Sequence, residues 1–370
     1  MATLGFRQLF RGLDLGLLTS VLLLAIIGLA ALYSFAVNVD HPDFTIFYKQ
    51  VAFLVVGLAM ALVAMRLDYR WLAGVHWLLY GLGVASLLAV LVVGKTIRGS
   101  TGWFQVGGFQ LEPVEFVKII MAVVLARYFA DHADRINSWR LILISGAITL
   151  LPVGLVVAQP DIGSAIVLLG MWVGFLIALP VSRRKILLVG LVGVVMAVGS
   201  WFTLLHPYQK NRILNFISPT RDPLSSGYNV QQAITALGSG GWFGRGLGLG
   251  TQSQLNFLPE RHTDFIFASI GEELGLVGGL VIVALFALLF WRMYHVVRSC
   301  RDSFSGLFVL AILFMLFIQV AVNIGMNMGV FPVTGITLPF ISYGGSSLIA
   351  SLLAVGLLES LAIRQRIVPV

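Results

Sequence analysis

The chain has 370 residues, of which 58% are hydrophobic and only 11% are charged, and its mean hydropathy is +0.96. This composition excludes a soluble globular protein, because a folded soluble domain carries more charged residues on its surface. The formal net charge is +8, and the single cysteine, Cys300, excludes an internal disulfide.

Apolar runs recur along the chain, most of them long enough to cross the ~30 Å hydrocarbon layer as a helix. The sequence therefore predicts an all-α polytopic membrane protein, with residues 1–370 forming a single integral membrane domain of ten spans. The first run is longer than the ~7–15-residue apolar core of a secretory signal, so it is predicted to be a membrane helix. The ten spans are Leu15–Val37, Val51–Met65, Trp71–Val93, Pro113–Phe129, Leu141–Ala158, Ile162–Leu179, Ile186–Leu205, Phe265–Arg292, Gly306–Val330 and Leu338–Ile363.

Most of the basic residues fall on one side of this ten-span arrangement, the side that also holds both termini. They are Arg7, Arg11, Arg66, Arg70, Arg127, Arg135, Arg140, Arg183, Arg184, Lys185, Arg292, Arg298, Arg301, Arg364 and Arg366. The positive-inside rule makes this face cytoplasmic, which predicts a multi-pass protein of the cytoplasmic membrane. Because orientation explains the basic residues, no nucleic-acid partner is predicted.

The outward connections hold most of the unusual polar residues, so the working site is predicted to be extracytoplasmic. The longest connection, residues 206–264, lies between the seventh and eighth spans. Apolar spacing from Val230 to Leu237 predicts a short re-entrant or interfacial helix there, ending at Gly238 before a flexible glycine hinge.

Several polar residues near the outer ends of the spans are candidates for a site. Glu115 and Lys118 are spaced to pair along one helix face, either as a structural ion pair or in a substrate role. Asp161, in "AQPDIGSA", is predicted to cap the start of the sixth span. A stripe in the ninth span either joins helices or lines a cavity. Its members are Gln319, Asn323 and Asn327.

Two outward stretches stand out for their composition. Trp103 is either an interfacial anchor or a ring that closes over a ligand, since the flanking "STG" and "QVGG" indicate mobile surroundings. The stretch "FLPERHTDFIFA", residues 257–268, places Glu260, Arg261, His262 and Asp264 directly before an apolar span.

Four motifs, in this chain order, resemble the SEDS family of bacterial cell-wall synthesis over almost the whole sequence. They are "GWFQVGGFQLEPVEFVK", "AQPDIGSA", "GTQSQLNFLPERHTDFIFASIGEELGLVG" and "PFISYGGSS". The resemblance, stronger to elongation members than to division members, implies a peptidoglycan glycosyltransferase that polymerises lipid II on the outer face of the cytoplasmic membrane. It implies an essential aspartate at Asp264 and roles for Trp103, Glu115 and Lys118. The family usually has Gln and Ser at positions 112 and 114, where this chain has Glu112 and Val114.

The implied chemistry agrees with the residue types. An α-linked diphosphate donor that gives a β-linked glycan undergoes one inversion, for which a single general base suffices, and Asp264 is the candidate. The leaving diphosphate needs cations, and Ser342 is a further predicted substrate-binding residue. The candidate cations are Lys118, Arg245, Arg261 and His262. Arg261 has an alternative role in a salt bridge to Glu260 or Glu272.

No organic cofactor is predicted. A divalent cation, Mg²⁺ or Mn²⁺, is expected to be held mainly by the substrate diphosphate, and no spacing of side chains identifies metal ligands. The resemblance implies a class B penicillin-binding protein as partner, contacting the eighth and ninth spans and the large outer loop. Lipid II and undecaprenyl diphosphate are the implied lipid ligands. The alternatives are a lipid II flippase, a division-specific polymerase, a scaffold for the transpeptidase and an ion-coupled transporter.

Overall fold

The computed structural model describes residues 12–37, 42–97, 100–107, 109–203, 207–217, 226–255 and 257–367. Arg7 and Arg11, used above to assign orientation, lie outside these residues, as do parts of the long connection 206–264. The described residues form fourteen α-helices. They are α1 (Leu15–Val37), α2 (Thr45–Arg66), α3 (Tyr69–Gly74), α4 (His76–Val93), α5 (Pro113–Asp131), α6 (Trp139–Ala158), α7 (Ile162–Ala178), α8 (Arg183–Thr203), α9 (Pro207–Ile217), α10 (Ser226–Ser239), α11 (Thr251–Gln254), α12 (Ile266–Ser299), α13 (Ser303–Asn327) and α14 (Gly345–Ile367).

The predicted helical membrane fold is confirmed. Among the described residues, eight helices are long and apolar enough to cross a membrane, namely α1, α2, α4, α6, α8, α12, α13 and α14. Helices α5 and α7 account for the other two predicted spans. The first carries Glu115, Lys118 and Arg127 along its length, and the second has only 17 residues.

The last predicted span begins later than its apolar sequence suggests. Helix α14 starts at Gly345, and residues 332–344 form an irregular segment in which Phe340 adopts a φ of +68°. One short turn forms in this segment, where the amide of Ser342 donates to the carbonyl of Leu338 at 3.0 Å, and the next amide, of Tyr343, donates to the distant carbonyl of His262 at 2.8 Å. The third predicted span is also divided, into α3 and α4.

A small antiparallel sheet replaces the loop expected after the third span. Its strands, in sheet order, are β1 (Lys95–Ile97), β2 (Ser100–Val106) and β3 (Phe109–Leu111). The hydroxyl of Ser100 donates to the carbonyl of Gln159 at 2.8 Å, and the amide of Thr101 donates to the same carbonyl at 3.3 Å. These bonds attach the sheet to the turn between α6 and α7. The mobile surroundings expected for Trp103 are therefore replaced by a paired strand.

Hydrogen bonds at the two ends of the bundle show which helix ends lie together. At one end, Arg292 of α12 donates to the carboxylate of Asp14 at 2.8 Å, and the amide of Asp14 donates to Glu359 of α14 at 3.0 Å. At the other end, Gln50 of α2 donates to the carbonyl of Ser342 at 3.0 Å. The start of α1 thus lies beside the final turns of α12 and α14, and the start of α2 lies beside the segment that precedes α14.

Helix α12 is interrupted at Gly275, whose φ of +68° and ψ of −166° are not helical. The interruption leaves backbone groups without partners inside the helix, and the glycine loop, residues 240–250, satisfies four of them. The four bonds are Arg245 N to Glu272 O (3.0 Å), Gly246 N to Glu273 O (2.9 Å), Leu276 N to Gly241 O (2.9 Å) and Val277 N to Trp242 O (3.1 Å). The predicted flexible hinge is thus bonded to α12.

The long connection contains the helix that its apolar spacing predicts. Helix α10 covers the predicted segment, and its buried Ala233 and Ala236 pack against Leu258, Phe265 and Ala268. This contact joins α10 to the chain around the start of α12. The re-entrant or interfacial placement of α10 stays a prediction.

Candidate active site

The backbone of Asp264 is held by two asparagine side chains of α13. Its carbonyl accepts a hydrogen bond from Nδ2 of Asn323 at 3.1 Å and from Nδ2 of Asn327 at 2.9 Å. The Oδ1 atom of Asn327 accepts the amide of Ala268 at 2.9 Å, so the same side chain caps the first turn of α12. Two members of the predicted polar stripe thus fix the turn that carries Asp264. Gln319, the third member of the stripe, is buried one turn before Asn323 in α13.

The irregular segment before α14 forms the opposite wall of this turn. Nδ2 of Asn323 also donates to the carbonyl of Ile336 at 2.7 Å. Gly335 adopts a φ of +81°, and a Cβ atom there would lie 3.8 Å from Oδ2 of Asp264. A glycine is favoured at this position because its φ lies in the left-handed region. The half-buried carboxylate of Asp264 thus faces the backbone of a glycine.

Ser342 and Tyr343 bind the other side of the turn. The Ser342 hydroxyl donates to the carbonyl of Thr263 at 2.7 Å and accepts the amide of Leu338 at 2.8 Å. The amide of Tyr343 donates to the carbonyl of His262 at 2.8 Å, and the two aromatic rings lie 5.9 Å apart, edge to face. Ser342 therefore supports the turn, and its substrate-binding role stays a prediction.

Four carboxylates, those of Glu112, Glu115, Asp161 and Asp264, and the ammonium of Lys118 form one electrostatic group centred on Glu112. The Lys118 ammonium lies 2.8 Å from the Glu115 carboxylate, and both side chains are buried, so the predicted pair forms. Oδ1 of Asp161 accepts the amide of Ser164 at 3.0 Å, as predicted for the cap of α7.

Glu112 is the fourth carboxylate of this group. It precedes Pro113, the first residue of α5, and its amide donates to the hydroxyl of Ser346 at 2.9 Å. Burial raises the pKa of Glu112 well above its ordinary value, and so do the negative charges of three neighbours, while Lys118 opposes the rise. The three neighbours are Glu115, Asp161 and Asp264. Glu112 therefore shares an electrostatic environment with the candidate base.

Replacing Glu112 with glutamine is expected to change how stability depends on pH. Between the ordinary value of 4.5 and the raised pKa, the folded chain holds a proton that the unfolded chain releases. The free energy of unfolding of the wild type therefore falls as pH rises through this interval. Thermal unfolding in detergent should show that Glu112→Gln is the more stable form at high pH, with a difference that shrinks in acid. A difference that is constant with pH contradicts this assignment.

Removing one member of the buried ion pair is expected to be costly. Lys118→Met leaves the Glu115 carboxylate buried without its cation, which typically costs about 3–5 kcal/mol. The double variant Glu115→Gln/Lys118→Met removes both charges at similar volume and is expected to recover much of this stability. Polymerisation and thermal unfolding are measured on both variants. Full turnover by the double variant would show that the pair only supports the fold.

Arg261 contacts an aromatic ring of the first helix. Its guanidinium lies 5.2 Å from the ring centre of Phe35, and its Nη1 atom is buried without a hydrogen-bond partner among the described residues. Burial lowers the pKa of Arg261, and the nearby charge of Glu273 opposes this. The carboxylate of Glu272, one of the two predicted salt-bridge partners of Arg261, accepts the backbone amides of Gln252 at 2.8 Å and Ser253 at 2.9 Å.

Arg245 lies on the glycine loop and Trp103 lies in the small sheet. Arg245 is exposed, its Nε donates to the carbonyl of Ser239 at 3.3 Å, and its amide bonds Glu272, about two helical turns beyond Asp264. Trp103 is half-buried in β2, opposite Lys95 on β1. The structure thus brings Glu115, Lys118 and Asp264 into the electrostatic environment of Glu112, while Arg245 lies on the glycine loop.

Sequence reasoning missed the roles of Asn323, Asn327 and Gly335 at the site. The four-residue spacing of the two asparagines was a usable signal, because it puts both amides on one face of α13. Gly335 offered no signal, since its role depends on a contact with a distant turn. Among the described residues, no three His, Cys, Asp or Glu side chains are grouped to hold a metal ion.

Comparison with known proteins shows one family over nearly the whole chain. The FTSW_RODA_SPOVE family, described as "Cell cycle protein", matches residues 15–367. The probable peptidoglycan glycosyltransferase FtsW of Thiomicrospira cyclica is 38% identical, over 98% of this chain and 95% of the relative. The peptidoglycan glycosyltransferase MrdB of Escherichia coli K12 is 36% identical, over 92% of this chain and 91% of the relative.

Two solved structures share the fold. One, described as "Structural coordination of polymerization and crosslinking by a peptidoglycan synthase complex", matches with a TM-score of 0.81 and 34% identity, over 96% of this chain and 99% of the other. The rod shape determining protein RodA of Thermus thermophilus matches with a TM-score of 0.71 and 31% identity, over 96% and 98%.

Proposed function

The chain belongs to the FtsW/RodA/SpoVE family of cell cycle proteins, and from this premise we propose how it carries out peptidoglycan glycosyl transfer. It is a membrane-embedded peptidoglycan glycosyltransferase of the SEDS family. The observation that supports a specific site is the double amide contact on the carbonyl of Asp264, which holds a half-buried carboxylate beside Gly335.

Asp264 is the general base of the reaction. Its carboxylate takes the proton from the acceptor sugar hydroxyl while that oxygen forms a bond to the anomeric carbon of the donor. The bond from this carbon to the diphosphate breaks, and the diphosphate leaves with the electron pair. Only one carboxylate has to titrate, because inversion needs no covalent intermediate. Fixing the backbone of the base before substrate arrives reduces the entropy cost of reaching the reactive geometry.

Arg261 is the best-placed cation for the leaving diphosphate. It lies three residues before the base, and its buried Nη1 atom has no protein partner among the described residues. Lys118 contributes less net charge, since its ammonium already pairs with Glu115. A guanidinium stacked on an aromatic ring keeps its donors in a fixed plane, which suits phosphate oxygens.

Mg²⁺ or Mn²⁺ is expected to enter with the substrate. Since the described side chains form no metal cage, the diphosphate oxygens would supply most ligands, and the cation would offset their charge. Adding a chelator to a polymerisation assay tests this. A rate that does not change with chelator removes the cation from the reaction.

Lipid II is the proposed substrate, consumed at the outer face of the cytoplasmic membrane with both termini in the cytoplasm. A class B penicillin-binding protein is the proposed partner, and cell elongation is the proposed duty. The likeness to a chain of a peptidoglycan synthase complex supports a partnered polymerase.

Thiol labelling tests the orientation of the chain in the membrane. In a Cys300→Ser background, a single cysteine replaces either Gln105 on the sheet or Asp134 after α5. An impermeant reagent should label only the first in intact cells.

The deciding experiment is a polymerisation assay in which purified protein is mixed with lipid II in detergent, with and without the partner. Glycan polymer is expected. If neither preparation consumes lipid II, but lipid II crosses vesicle membranes when the protein is present, the chain is a flippase.

A further inference from the structure

We propose that a groove between α1 and α2 binds the isoprenoid chain of the lipid-linked substrate whose diphosphate lies at Arg261. This inference rests on the proposed function and adds a binding site for the lipid tail. The groove, here called the α1–α2 groove, has a volume of about 540 Å³. Its main walls come from Ile26, Leu29, Ala30 and Tyr33 of α1, Phe47 of α2 and Leu247 of the glycine loop.

The walls of the α1–α2 groove are those expected for a hydrocarbon chain. Both helices are long and apolar enough to cross a membrane, and Ile26 and Tyr33 in the groove are exposed, so we expect the groove to open toward lipid. Tyr33 and Phe47 pack edge to face at 5.5 Å, at the end of the groove nearest the glycine loop. Aromatic rings of this kind lie where the hydrocarbon layer meets the headgroups.

A buried polar cluster lies at the aromatic end of the groove. Ser34 lines the groove, and its hydroxyl donates to Glu273 at 2.8 Å. Nε2 of Gln254 donates to the same carboxylate at 3.1 Å and to the carbonyl of Ser34 at 3.3 Å. These contacts fix α1 against α12 and prevent the chain from passing deeper at this point. A hydrocarbon tail in the groove must therefore turn its polar head toward the outer connections.

The first cation beyond this cluster is Arg261. The residue after Ser34, Phe35, carries the Arg261 guanidinium against its ring at 5.2 Å. Arg261 precedes Asp264 by three residues, so the two Cα atoms lie no more than about 10 Å apart even in extended chain. A substrate with its tail in the groove would thus place diphosphate near Arg261 and its sugar toward Asp264. The order tail, diphosphate, sugar matches the order groove, Arg261, Asp264.

The volume of the α1–α2 groove limits how much of the isoprenoid chain it can hold. At the ~30 Å³ that a water-sized group occupies, the groove holds on the order of eighteen such groups, or roughly four isoprene units. Only part of a long polyprenyl tail would therefore contact protein, and the rest would stay in the bilayer. The benefit of tail length should rise to about four isoprene units and then level off.

The test fills the groove and compares substrates that differ only in tail length. Ala30, which is exposed in the groove, is changed to tryptophan, and Ala147→Trp on α6, also exposed, is the matched control. The readout is the ratio of kcat/KM for lipid II with its full tail to kcat/KM for lipid II with two isoprene units. We expect Ala30→Trp to reduce this ratio about tenfold while the short-tailed substrate reacts at the wild-type rate. Ala147→Trp should keep the wild-type ratio.

Three results overturn the groove assignment. One is an unchanged ratio in Ala30→Trp. Another is an equal loss of rate with both substrates, which would indicate a purely structural effect. The third is an effect of Ala30→Trp that follows phospholipid content rather than tail length, which would assign the groove to bilayer lipid. Failure of the wild type to make polymer from either substrate contradicts the proposed function itself, so the two failures are distinguishable.

Discussion

Asp264→Asn is expected to lower polymerisation at least about 100-fold, because the amide cannot accept the proton of the acceptor hydroxyl. The substitution should leave the fold intact. Asn323 and Asn327 bind the backbone carbonyl of residue 264 and not its side chain, so those two hydrogen bonds survive. Asparagine also has nearly the shape of aspartate. Polymer formed from lipid II by purified variant is the measurement, with thermal unfolding in the same detergent.

The matched control is Asp134→Asn, which changes an aspartate whose side chain is 71% exposed near the end of α5. It is expected to polymerise at the wild-type rate. Near-normal polymerisation by Asp264→Asn would remove this residue from the general-base role. A variant that is inactive and also unfolds at a much lower temperature would be uninformative about chemistry, so Asp264→Glu is measured as well. It keeps the base and should retain more activity than the asparagine variant.

Gly275→Ala is expected to cause a large loss of stability. The φ of +68° with ψ of −166° is a conformation essentially restricted to glycine, and holding another residue there costs about 1–3 kcal/mol. A Cβ atom would also lie 2.3 Å from the amide nitrogen of Gly244 and 2.6 Å from the carbonyl of Trp242. These neighbours are backbone atoms, so the glycine loop must move away from α12. We expect a clearly lower unfolding temperature and a loss of activity.

Gly279→Ala is the control for this prediction, four residues farther along the same helix. A Cβ atom there meets only the ring of Phe267, at 3.6 Å, which is an ordinary contact. Alanine also has the higher helix propensity, by about 1 kcal/mol. The control should therefore be as stable as the wild type or more so. If both variants unfold at the wild-type temperature, the contact between the glycine loop and α12 does not contribute to stability.

The spans could be predicted from the sequence because each depends on local hydropathy. Two parts of the site could also be predicted from the sequence, because the Glu115–Lys118 pair and the Asp161 cap involve residues three apart on one helix. The start of α14 was misplaced because Leu338 and Phe340 are as apolar as the helix that follows. The backbone there bonds to the turn of Asp264, and hydropathy carries no information about such a contact.

The features that escaped prediction all depend on distant partners. The strands of the sheet have three to seven residues, too short for a periodic signal, and their anchor is Gln159, more than fifty residues away. The interruption of α12 occurs at Gly275, and the backbone groups that it frees bond to the glycine loop, about thirty residues earlier. The contact of Arg261 with Phe35 joins positions more than two hundred residues apart. Spacing along the chain cannot reveal such neighbours.

The bond from the Ser342 hydroxyl to the carbonyl of Thr263 joins residues 79 positions apart and has a consequence for biogenesis. During synthesis, the turn that carries Asp264 leaves the ribosome well before Ser342, which binds it. We therefore expect the nascent chain to become active only after its last membrane segment has been inserted. A chain that ends before residue 342 lacks this bond, and we expect it to enter the membrane without polymerising glycan.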